Sequence, residues 1–87
     1  MPRRQVVISA HNGVHARPVA ELVRVVQEHP HAVTLKTSTG AVVDLSSVLA
    51  LMDLGLAPGD VVVLETVEAT GAERVLETLA GVLDPVR

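Results

Sequence analysis

The sequence has no cysteine and no phenylalanine, tyrosine or tryptophan. Without thiols there can be no disulfide, no thiolate metal site and no cysteine nucleophile. Without aromatic rings there is no stacking platform for single-stranded nucleic acid. The core must also be assembled from many small pieces, chiefly valine, leucine and alanine. Basic charge is scarce too, with seven Lys and Arg against ten Asp and Glu and a formal net charge of −3. A general nucleic-acid binder shows the opposite balance, gathered into a patch. Long apolar runs are missing, since no stretch approaches the ~20 residues of a membrane span. The opening MPRRQVVISA carries two arginines, but the apolar run behind them is short and alternating and has no small-residue cleavage site, so it reads as a strand and not a signal peptide. The expected location is the cytoplasm.

What remains is an 87-residue chain that is 48% hydrophobic, enough to close one modest core in a single domain over residues 1–87. RQVVIS, residues 4–9, is rich in β-branched side chains and predicts a strand that ends in the loop Ala10 to Gly13. From Ala16, the residues Val19, Leu22, Val23 and Val26 recur at helical spacing until His29-Pro30 breaks the pattern. AVTLKT, residues 32–37, alternates as a strand does, and Ser38-Thr39-Gly40 turns it into AVVDL as a hairpin. Ser46-Ser47 precede the apolar VLALMDLGL, a helix N-cap signal, and Gly55 supplies the stop. Pro58-Gly59 suits the centre of a type II turn. DVVVLETV then predicts a central strand covered or paired on every side. Thr70 to Glu73 fits the capping box T-x-x-E, with Val75, Leu76, Leu79, Val82 and Leu83 following at helical spacing and Pro85 ending the run. The order β-α-β-β-α-β-α predicts an α+β fold, an antiparallel sheet with helices packed on one face.

Chemistry concentrates at NGVHARP, residues 12–18. The first amides of a helix have no intrahelical carbonyl to receive them, and together with the positive end of the macrodipole they form an anion site. Arg17 adds a guanidinium whose planar fork suits phosphate. His15, beside the helix start, sits where the dipole disfavours imidazolium, and a neutral ring is a nucleophile for a phosphoryl donor. Pro18 falls in the first turn, where its missing N–H breaks no helical bond. Asn12 can bond the local backbone or the imidazole, and Gly13 lets the chain turn tightly near an anion. The same residue types also fit a bare cap, a surface arginine and a plain turn, and spacing alone leaves both readings open. A metal site is not expected: His11 and His15 straddle a loop, His29 and His31 lie two apart, and neither pair has a convincing carboxylate or thiolate partner.

A second feature is the short apolar helix. Val48, Leu49, Leu51, Met52 and Leu54 present a wider apolar face than two turns on a sheet can bury. Some side chains are therefore expected at the surface, with Val48, Leu49 and Met52 as the docking patch for partner proteins.

NGVHARP followed by an apolar helix resembles the active-site segment of HPr, the histidine-containing phosphocarrier family of the bacterial phosphoenolpyruvate:sugar phosphotransferase system. DLSSVLALMDLGLAPGD is similar to that family's second-helix signature, and VVVLETVEATGAERVLETLAGVL to its last strand and helix. The resemblance implies an open-faced β-sandwich, a four-stranded antiparallel sheet with three helices packed on one face. It implies that His15 accepts a phosphoryl group from phosphorylated enzyme I, on Nδ1, and passes it to a sugar-specific enzyme IIA. Arg17 would stabilise the group and Asn12, Gly13, Ala16 and Pro18 would shape its loop and helix start. The protein would be a stoichiometric carrier and not an enzyme, monomeric, with no metal or organic cofactor. Ser47 matches a serine that is a regulatory phosphorylation site in some of these proteins, whereas Ser46 stands at a neighbouring position that is often basic in them and is the weaker candidate. Two alternatives remain from the residues: a regulatory module docking on transcription factors or kinases, and a small acyl-phosphate hydrolase in which Asn12 and Arg17 position water and phosphate.

Overall fold

Alternation decides which side of each strand the helices cover. In the computed structural model, which describes residues 2–9 and 16–84, the strands are β1 (Arg3–Val7), β2 (Val33–Thr37), β3 (Val42–Asp44) and β4 (Val61–Thr66). They form one sheet in the order β1-β4-β2-β3, antiparallel at every pairing. Val6 of β1, Val33 and Leu35 of β2, and Val62 and Leu64 of β4 are buried on one face. Their neighbours point to the other side, as a period of two requires. Thr66 is the polar exception on the covered face, and its hydroxyl is satisfied by donating to the Ala32 carbonyl at 2.8 Å.

Three helices, α1 (Ala16–Gln27), α2 (Val48–Asp53) and α3 (Ala72–Leu83), supply the other layer. In α1, Leu22 and Val26 are buried while Glu21 and Arg24 face water, and Arg24 reaches Glu21 at 3.2 Å and, just past the helix, Glu28 at 3.6 Å. The helix closes just before Pro30 through His29 N–H to the Val26 carbonyl, 3.0 Å. In α3, Val75, Leu76, Leu79, Ala80 and Leu83 repeat at helical spacing and are all buried. Valine and leucine thus close the core without a single aromatic ring. The architecture is the open-faced sandwich, a four-stranded antiparallel sheet under three helices.

Two local expectations need correction. Strand β4 is central and paired along both edges, but only Val62, Leu64 and Thr66 are covered; Val61, Val63 and Glu65 stay partly exposed on the open face. An apolar residue on both sides of a strand signals two covered faces only when a second layer exists, and here there is one. The capping box at Thr70 does not form either. The N-cap of α3 is Gly71, in the left-handed region at φ 87°, with no side-chain cap bond. A turn closed by the Ala72 N–H on the Ala69 carbonyl, 3.0 Å, moves the helix start one residue on, out of register for a Thr70–Glu73 pair.

Candidate functional site

The chain enters the candidate site from the end of β1. There the Ile8 amide donates to the Asp60 carbonyl at 2.8 Å, the Gly59 amide donates to the Ile8 carbonyl at 2.7 Å, and the Ser9 amide donates to the Leu83 carbonyl at 3.0 Å. The Ser9 hydroxyl also donates to the Asp84 carboxylate. The turn Ala57 to Asp60, closed by Asp60 N–H on the Ala57 carbonyl at 3.0 Å with Gly59 at φ 94°, is the type II turn expected of Pro58-Gly59. Turn, strand end and the C-terminal end of α3 therefore meet where residues 10–15 begin. Ser9 and Asp84 escaped the reading of motifs. They are 75 residues apart, and no local spacing signals such a pair.

The chain leaves the site at Ala16, where α1 starts. His15 is thus the residue immediately before the helix. Asn12, Gly13 and His15, like His11, lie outside the described residues, as do the side chains of Ala16, Arg17 and Pro18, whose backbones form the first turn of α1. Amides in that turn precede the first available intrahelical carbonyl, and no acidic residue stands in it to answer them. Arg24 is held by Glu21 and Glu28, and Arg3 by Glu65 at 2.9 Å, so those two arginines are committed elsewhere.

The start of α2 carries the two serines. Ser47 is its N-cap, extended at φ −97° and ψ 100°, and its Oγ accepts from the Ala50 amide at 3.4 Å. Ser46 behaves differently: its amide (2.8 Å) and its hydroxyl (2.7 Å) both donate to Oδ1 of Asp44. The Ser46 hydroxyl, and then its amide, hold the Asp44 carboxyl below its ordinary value, against a smaller opposing effect of burial. The short D-x-S spacing was a local signal for this turn. Further along α2, Leu51 is buried at 1% exposure, while Leu49 and Met52 project at 82% and 48%. The side chain of Val48 lies outside the description. Leu49 and Met52 are thus surface residues on a helix that packs against α1.

Away from this end, the His29 and His31 rings meet edge to face, centroids 5.9 Å apart. Among the described residues no group of three His, Cys, Asp or Glu could hold a metal ion. No helix among them is long and apolar enough to cross a membrane.

Residues 2–84 match the protein family described as PTS HPr component phosphorylation site. The chain belongs to the HPr family of phosphocarriers. Among HPr relatives, the phosphocarrier protein HPr of Streptomyces coelicolor is 38% identical over 80 residues, 92% of this chain and 85% of its own length. The phosphocarrier protein NPr of Klebsiella oxytoca is 36% identical over 81 residues, 93% of this chain and 86% of its own. The crystal structure of HPr from Bacillus anthracis, 28% identical, overlays with a TM-score of 0.83 across 95% of this chain and 96% of that one. The HPr fold and the phosphotransferase-system family that NGVHARP suggested are therefore established. The match spans every described element and not the motif alone.

Proposed function

We infer that His15 accepts a phosphoryl group from phosphorylated enzyme I and donates it to an enzyme IIA, as one step of a relay that begins with phosphoenolpyruvate. The observation that supports this reading is that α1 of an HPr-family chain starts at Ala16, the residue that follows His15 in the sequence, with no acidic residue in its first turn. In the transfer, the imidazole lone pair forms a bond to phosphorus as the bond to the donor breaks and the donor departs with its electron pair. A neutral ring is needed at that moment, and the positive end of the helix favours it. The amides of that first turn and the Arg17 guanidinium then carry the charge of the phosphoryl oxygens, which lowers the cost of holding it. Asn12, Gly13 and Pro18 shape the loop and stiffen its exit.

Leu49 and Met52 form the docking surface for both partners, and the exposed pair on a short helix suits brief contacts in turn. The carrier works as a cytoplasmic monomer that makes small transient interfaces. Ser47 is the better regulatory acceptor of the two serines. A phosphate there keeps an acceptor at the N-cap of α2, whereas one on Ser46 would face the Asp44 carboxylate.

A chase experiment tests the relay. Chain phosphorylated with phosphoenolpyruvate and enzyme I is separated and mixed with an enzyme IIA. Transfer of an acid-labile, alkali-stable phosphoryl group supports the reading. Multiple turnover of acetyl phosphate with no covalent adduct would replace the carrier by a hydrolase. A stable phospho-dependent complex with a transcription factor or kinase, and no onward transfer, would replace it by a regulatory module.

A further inference from the structure

The sheet face that no helix covers carries a second site. Strand register sets its layout: Arg3 lies across from Glu65, which lies across from Thr34, and one step along, Val63 lies across from Lys36, which lies across from Val42. With Val61 and Ser38 these residues line a depression of about 360 Å³, within the size range of pockets that hold small molecules. Its polar groups are unequally committed. Arg3 is paired with Glu65 at 2.9 Å, the Thr34 hydroxyl lies 3.5 Å from the Glu65 carbonyl, and the Thr37 hydroxyl is engaged by Thr39 and by the Ala41 amide. Asp44, further along β3, is taken up by Ser46. Lys36 makes no ion pair among the described residues, and it rises between two valines.

The geometry points to a binding site for a medium-chain aliphatic monocarboxylate, its carboxylate on the Lys36 ammonium and its tail along Val42, Val61 and Val63. Each part of the ligand follows from the lining. The Arg3–Glu65 pair cancels, so the lining is left with the single positive charge of Lys36, which matches a monoanion. The apolar part of the lining is Val42, Val61 and Val63, with no ring to stack on, which favours an alkyl chain over an aromatic or a base. The site lies on the side of the sheet away from α1, so it stands or falls separately from the role of His15.

Amide chemical-shift titration of the intact chain with sodium octanoate, kept below its micelle concentration, is the test. Saturable shifts centred on Lys36, Val42, Val61 and Val63 are expected. Binding should weaken by up to about fourfold for each methylene removed on going to hexanoate. Lys36→Glu should lose at least about tenfold in affinity, Lys36→Arg should retain it, and Val63→Ser should weaken it with the charge left intact. Neither Lys36 variant should change the thermal midpoint appreciably, because the side chain is exposed. Four results would overturn the site: no saturable shift, equal binding of 1-hexanol and hexanoate, indifference to Lys36→Glu, or shifts centred on Leu49 and Met52.

Discussion

The two long helices, α1 and α3, are twelve residues each and bury the same kind of apolar face, yet they begin in opposite chemistry. The first turn of α3 contains Glu73, so the chain itself supplies the negative charge that a helix start attracts. The first turn of α1 contains no acidic residue and is preceded by His15 and entered through Arg17. A field that Glu73 answers at one helix meets no acidic residue in the first turn of the other. The short α2 lies between these cases, its start closed by the Ser47 side chain.

If the helices differ only in how they begin, damage to their bodies should be alike and large. Leu22→Ala in α1 and Leu79→Ala in α3, both at sites of 0% exposure, should each cost about 2–5 kcal/mol in denaturant unfolding. A marked asymmetry between them would show that the bodies differ as well. At the starts the comparison should break. Arg17→Ala should slow phosphoryl acceptance by about 10²-fold in quench-flow with enzyme I, with Arg17→Lys recovering only part of the loss because an ammonium lacks the planar fork. Glu73→Gln in α3 should leave that rate unchanged and lower stability by about 0.5 kcal/mol, measured at low salt.

The smallest effect belongs to α2. Its approach is steadied by Asp44, whose carboxyl is held below its ordinary value by hydrogen bonds from the Ser46 hydroxyl and amide. A carboxyl with a lowered folded-state value stabilises the protein above its unfolded value, and the contribution disappears as pH falls through the folded one. Asp44→Asn should therefore reduce the thermal midpoint slightly at neutral pH, and the difference should shrink as pH falls below the ordinary carboxylate range and close only below the lowered folded-state value.

Period and punctuation revealed most of the fold. The 3.6-residue recurrence from Val19 to Val26 and from Val75 to Leu83 marked α1 and α3, and Ser47 before an apolar run marked the cap of α2. Where the sequence misled, a local signal competed with a stronger backbone preference. Thr70 and Glu73 had the right spacing for a capping box, but Gly71 could adopt a positive φ and took the cap position. The valines of β4 looked doubly covered because side-chain type records hydrophobicity and says nothing of how many layers a fold has. For the candidate site, the motif named the residues, and the helix start at Ala16 is the part of it that lies within the described residues. The Ser9–Asp84 bond that anchors the loop entrance was illegible, since strand end and helix end meet only after the whole chain has folded.

The central claim is that the open start of α1 serves a phosphoryl group on His15. Fragment mass analysis under alkaline conditions, after incubation with phosphoenolpyruvate and enzyme I, addresses it most directly. The account predicts a single phosphoryl group per chain, confined to the peptide containing His15 and absent from His15→Ala. An adduct that persists in His15→Ala, or one located on a peptide without that residue, would contradict it.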